Sequence, residues 1–191
     1  MKTMRRGLLT LLLGLGGLAA AAADQLPGDS LYRLQLPLTT QAQQPLKMSG
    51  LAGKPAVITM FYGSCKLACP VTLHSMQSIV AKLPADKRAG VTALLVSLDP
   101  KGDNAATLAE LAQSHDMAAA PWLFAVSDND RDTRTFAAAV GLRYRRLASG
   151  EINHSTRIVV TDTQGRIVAA TENTAPEGDP DIIEALKNQL H

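Results

Sequence analysis

Apolar positions along the chain fall into two periods. Residues 55–62, Pro55-Ala56-Val57-Ile58-Thr59-Met60-Phe61-Tyr62, form a β-branched and aromatic run that predicts a buried strand, ended by Gly63 and Ser64. After Pro70, Leu73, Met76, Ile79, Val80 and Leu83 recur at helical spacing and stop at Pro84. Residues 91–98 predict a second buried strand and 104–115 a helix with Leu108 and Leu111 inward. Residues 122–126 predict a third strand, and 131–140 a helix closed by Gly141. Residues 157–162 and 166–171 read as a hairpin turning through Thr163-Gln164-Gly165, and Asp179-Pro180 opens a last helix running to Leu190. The polar lead-in before Pro55 holds one alternating stretch, residues 31–36, that predicts a short edge strand.

Strands alternating with helices, then a hairpin and a closing helix, give an α/β class with the order of a thioredoxin-like domain: a central mixed sheet flanked by helices. A flavodoxin-like sheet is the rival, and the terminal hairpin argues against it, because an all-parallel sheet needs a crossover at every step.

The first residues differ in kind. Lys2, Arg5 and Arg6 precede an uncharged stretch, residues 7–23, whose end is rich in alanine. This is an export signal pattern with cleavage after Ala23, and an uncleaved membrane anchor is the alternative. The chain therefore divides into a signal segment (1–23), an N-terminal extension (24–54) and the domain (55–191). Export places the protein in the periplasm, with membrane contact only if the segment is retained. Of 19 basic residues three lie in the signal, leaving 16 against 17 acids. The slight overall basicity thus belongs to the signal, and no basic run suggests nucleic acid. No oligomer is predicted.

Both cysteines, Cys65 and Cys69, follow the first buried strand and precede its helix. Pro70 disfavours the helical conformation at the residue before it, which predicts a helix beginning at Pro70 with Cys69 at its edge. There the helix dipole would lower the thiol pKa and make Cys69 a thiolate at neutral pH. Three intervening residues allow a disulfide or convergence of both sulfurs on a metal, and soft thiolates select Cu(I), zinc or iron–sulfur chemistry. A structural disulfide is the plainer reading in an exported protein, but a bridge closing so short a loop gains little entropy.

His154 stands just before the strand 157–162. In a thioredoxin-like fold that loop packs against the cysteine-bearing helix start, where redox enzymes carry a cis-proline. This chain has no proline between Pro121 and Pro176 and offers an imidazole instead. His74, His115 and His191 read as surface residues. Asp99-Pro100 and Asp103 read as a turn and helix cap, and Met60, Met76 and Met117 as core filling.

Three segments together resemble the SCO/SenC/PrrC family: Phe61-Tyr62-Gly63-Ser64-Cys65 through Cys69-Pro70, Val96-Ser97-Leu98-Asp99-Pro100 through Asp103, and His154-Ser155-Thr156. The resemblance covers 55–190. It implies a copper site, Cu(I) or Cu(II), with Cys65, Cys69 and His154 as metal ligands. It also implies delivery to a client cuproprotein such as a haem–copper oxidase subunit in cytochrome c oxidase assembly, with Cys65 and Cys69 as an associated redox pair. Family members typically carry Pro-Asp-Val between the cysteines and Asp before the histidine, where this chain has Lys66-Leu67-Ala68 and Asn153. The departure predicts an altered affinity or potential and a client other than the oxidase. The rival function is a thiol-disulfide reductase that keeps a copper site's cysteines reduced. A peroxidase is the weakest reading, since no Arg or Trp is arranged to polarise peroxide.

Overall fold

Seven strands of the computed structural model form one mixed sheet. The structure describes residues 26–65 and 68–190, so the signal segment, Lys66, Leu67 and His191 lie outside it. The strands are β1 (Leu38–Thr40), β2 (Pro45–Leu46), β3 (Ala56–Phe61), β4 (Thr92–Ser97), β5 (Trp122–Ser127), β8 (Ile158–Thr161) and β9 (Ile167–Thr171), and they lie side by side in the order β2-β1-β5-β4-β3-β8-β9. A separate two-stranded sheet is made by β6 (Tyr144–Arg146) and β7 (Ile152–His154). The helices are α1 (Ala68–Ala81), α2 (Ala105–Ser114), α3 (Asp130–Ala139) and α4 (Pro180–Lys187).

β3 and β4 lie parallel at the centre, and every residue of both is buried, as continuous apolar runs require of strands covered on two faces. β5 continues the parallel set, while β8 pairs antiparallel with β3 and starts the terminal hairpin. That mixture is the expected thioredoxin-like arrangement, and it removes the all-parallel alternative. Phe61 and Phe124 meet edge to face across the core at 5.5 Å. Met60, Met76 and Met117 are buried.

Local chemistry sets the helix starts. Asn104 caps α2 by accepting from the N–H groups of Ala106 and Thr107, and the Thr107 hydroxyl answers by accepting from the Asn104 N–H. Asp179 does the same work for α4, ahead of Pro180 in the first helical position.

The lead-in departs from its expected form. Residues 31–33 make a 3-10 turn, capped by the Ser30 hydroxyl, and the lead-in joins the sheet later, through β1 and the edge strand β2. The cause is Tyr32, which is fully buried and whose hydroxyl bonds the Lys54 carbonyl at 2.8 Å and Thr161 at 3.0 Å. Its neighbour Leu31 is buried as well, and a half-exposed alternating strand would send one of the two to solvent. Leu31, Leu38, Met48 and Leu51 join the same apolar cluster as the central strands.

Candidate metal centre

The site has two arms. The first is the junction of β3 and α1. Tyr62 follows the buried strand, and the Cys65 N–H donates to the Tyr62 carbonyl at 3.2 Å to close a turn. The Gly63 N–H donates to Asp103 Oδ2 at 2.9 Å, and the Ser97 hydroxyl donates to the same oxygen at 2.5 Å. A Cβ at position 63 would lie 2.6 Å from Asp103 Oδ1, so the carboxylate can hold the loop only because a glycine stands there. Asp103 is therefore a strut between the end of β4 and the cysteine loop. Asn104 takes the cap expected of it.

Helix α1 begins at Ala68, which puts Cys69 inside its first turn rather than at a helix start at Pro70. Proline is tolerated in a first turn because its missing N–H has no intrahelical acceptor there. The Cys69 N–H donates to Cys65 Sγ at 3.3 Å, so the exposed helix end serves Cys65. Cys69 itself is 3% exposed, and its thiolate expectation fails. Burial pushes the Cys69 thiol well up; a hydrogen bond from the Tyr62 backbone offsets part, and Cys65 and Asp103 add to the rise. Desolvation outweighs the helix dipole at a sulfur turned into the core. The structure carries the pair as two thiols, with Cys65 half-buried.

The second arm is the hairpin β6–β7, which sequence patterning misses. His154 ends β7 with Tyr144 as its cross-strand neighbour. The Ser155 carbonyl lies 3.0 Å from His154 Nδ1. A carbonyl only accepts, so the proton sits on Nδ1 and the Nε2 lone pair is left for a ligand. The hairpin is tied back through Arg146, whose guanidinium bonds Asp99 at 2.6 Å. Asp99 also accepts from the N–H groups of Lys101 and Gly102. Burial pushes the Asp99 carboxyl up, but Arg146 and these two N–H groups outweigh it and hold the carboxyl below its usual range. Asp99 thus does make the expected turn, and in addition anchors the histidine arm.

One loop, 99–103, grips both arms, and the arms bring three ligand atoms together. One sulfur from each of Cys65 and Cys69 and one imidazole nitrogen of His154 all lie within 4.8 Å of one another. Three donors spread evenly around one ion at metal–sulfur distances of about 2.3 Å stand about 4 Å apart, so the set closes on a single soft ion with a shift of less than about an ångström. Tyr62 packs edge-on against the His154 ring at 5.8 Å. Burial, with a hydrogen bond to Cys65 and the nearby cysteines, pushes the Tyr62 hydroxyl up to about 12, so it stays a donor. His74 is exposed and His115 is half-buried at the end of α2. The turn signal Ser149-Gly150 between Tyr144-Arg145-Arg146 and Ile152-Asn153-His154 was the available sign of the missed hairpin.

A family model described as SCO1/SenC matches residues 27–191. A candidate copper-binding protein of Stutzerimonas stutzeri is 33% identical over 113 residues, 54% of this chain and 55% of that protein, so the match spans about half the length of each. Among solved structures, Bradyrhizobium japonicum ScoI with copper bound is 22% identical, with a TM-score of 0.68 over 81% of this chain and 97% of that one. A SCO1/SenC family lipoprotein from Bacillus anthracis is 21% identical, with a TM-score of 0.70 over 81% and 92%.

Proposed function

The chain belongs to the SCO1/SenC family, and we propose that it is a copper carrier of the cell envelope that takes the ion on Cys65, Cys69 and His154 and passes it to a client cuproprotein, a respiratory oxidase copper centre or another periplasmic acceptor. The observation that carries this reading is the convergence of two sulfurs and one imidazole nitrogen at a strand-to-helix junction. Two soft sulfurs with one borderline nitrogen suit Cu(I), the copper-bound Bradyrhizobium relative has the same fold, and the Stutzerimonas relative is named for copper. The lipoprotein relative supports action at the envelope. Among the described residues no helix is long and apolar enough to cross a membrane.

Capture is ligand exchange. Copper is the cargo, and the Cys65 and Cys69 protons leave to solvent as the two sulfurs bind. Nδ1–H bonding to the Ser155 carbonyl keeps Nε2 available throughout. Release reverses these steps as client ligands replace the protein's own. Anaerobic titration against a Cu(I) chelator tests the assignment: wild type is expected to compete with 1:1 stoichiometry, and equal affinity in Cys65→Ser and His154→Ala would end it.

Thiol-disulfide exchange is the second reading, favoured by the half-exposed Cys65 with a buried cysteine one turn away. It requires that cysteine substitutions stop reduction of a peptide disulfide while His154→Ala does not.

A further inference from the structure

Residues 142–157 carry four arginines and one carboxylate, in a protein whose charge after residue 23 is about −1. The positive charge is therefore concentrated on the arm that bears His154. Nine arginines fall among the described residues, and six are engaged. Arg33, Arg88 and Arg157 donate to backbone carbonyls. Arg146 and Arg166 pair with aspartates, and Arg134 lies over the Tyr144 ring. Arg143 and Arg145 are exposed, and their guanidinium groups have no partner among the described residues; two apart on β6 and its lead-in, they share one face of the hairpin. They border an open groove of about 430 Å³ together with Tyr144, Asn153, His154 and Ser155. Strand pairing sets the His154 side chain beside Tyr144, on the other face of the hairpin from Arg145, so His154 borders the groove from its far side.

We propose that this groove is the docking surface for an acidic segment of the protein that receives the metal, with Arg143 and Arg145 pairing to its carboxylates and His154 as the point of hand-over. Guanidinium groups match carboxylates in a forked, two-bond geometry. A concave surface flanked by the hydrogen-bonding side chains of Asn153 and Ser155 suits a chain segment better than a flat lipid surface. Opposite charges facing each other across the groove raise the encounter rate and fix orientation, and a carrier needs that more than tight binding, since it must also let go. The inference rests on the carrier reading for its purpose, but docking can be measured without metal.

The experiment uses the metal-free, reduced full chain labelled with nitrogen-15, and a synthetic twelve-residue peptide with four glutamates beside its counterpart with four glutamines. The glutamate peptide is expected to shift the amides of 143–145 and 153–155. Its affinity should fall about tenfold between low salt and about 0.3 M. R143E/R145E should abolish the shifts, and R143Q/R145Q should weaken them. Arg131→Glu, which alters the remaining unpartnered arginine on α3, should change affinity less than about twofold. Equal binding of the glutamine peptide, an equal loss in Arg131→Glu, or shifts elsewhere would overturn the proposal. So would phosphatidylglycerol vesicles that engage the same amides while the glutamate peptide does not. Chelator titration of R143E/R145E separates the two readings, because copper affinity should stay within about threefold of wild type even where docking is lost.

Discussion

The two arms of the site are built to different standards of rigidity. The cysteine arm springs from β3, whose six residues and whose parallel neighbour β4 are all buried, and it is pinned again by Asp103. The histidine arm is a two-stranded sheet in which only Ile152 among the six strand residues is buried. Its links to the body are side-chain contacts: the Arg146–Asp99 pair, Tyr62 against the His154 ring, Arg134 over the Tyr144 ring and, at its base, Arg157 to the Val140 carbonyl with the Thr59 hydroxyl to the Arg157 carbonyl. The contrast teaches that the sulfur pair is preset by the core while the imidazole is held on an arm that can give. That division is what the proposed carrier role asks for, an ion gripped and then surrendered.

The hardest test of the contrast removes ligands. Cys65→Ser and Cys69→Ser are each expected to lower Cu(I) affinity by more than about 100-fold, beyond the range of indirect effects. Two sulfurs alone can hold Cu(I), so His154→Ala should lose less, about 10-fold to 100-fold. Competition with a chelator reads both. A histidine loss equal to the cysteine losses would show that the arm is as fixed as the core.

Next come the struts. Asp103→Ala leaves the Gly63 N–H and the buried Ser97 hydroxyl without their acceptor, and the expected cost is about 1–3 kcal/mol, measured by urea unfolding. Arg146→Met should cost less than about 1 kcal/mol globally, because the guanidinium is partly exposed. It should nevertheless speed amide exchange across 144–154 and weaken copper binding about tenfold. If Arg146→Met destabilises the whole protein as much as Asp103→Ala does, the hairpin is part of the core and the comparison collapses.

These differences mark what the sequence could show. The runs 55–62 and 91–98 are long, apolar and bounded by turns, so the central strands and the site's first arm were legible from patterning. The helix starts two residues before Pro70 rather than at it, because a proline's bias against helical backbone at the preceding residue is a preference and not a bar. The Cys69 thiol was misjudged because a helix dipole can be read from a sequence and the depth of burial cannot. The hairpin was invisible because Tyr144-Arg145-Arg146 and Ile152-Asn153-His154 alternate too briefly, in strands of three residues, to give a period. Asp99 and Asp103 looked like ordinary turn residues, and only their partners 40 or more positions away reveal them as struts.

The smallest expected effect is on acid stability, and it probes the tie between the arms directly. Asp99 has its carboxyl held below the usual range in the folded protein, as do Asp162 beside Arg166 and Asp179 at the start of α4. A group whose pKa is depressed on folding contributes stability that is fully present above its unfolded value, about 3.9, and that is lost as pH falls through the folded value. Urea midpoints are therefore expected to hold steady from pH 7 to about pH 5 and to decline below about pH 4. In Arg146→Met the Asp99 carboxyl loses its guanidinium, while burial, which pushes it up, remains. The acid decline should accordingly be shallower than in wild type, since the variant has already lost what protonation would remove. Asp162 and Asp179 keep their partners and supply the remaining slope. A decline of unchanged steepness would mean that Arg146 does not set the Asp99 carboxyl, and that the histidine arm is held by its base and its ring contacts instead.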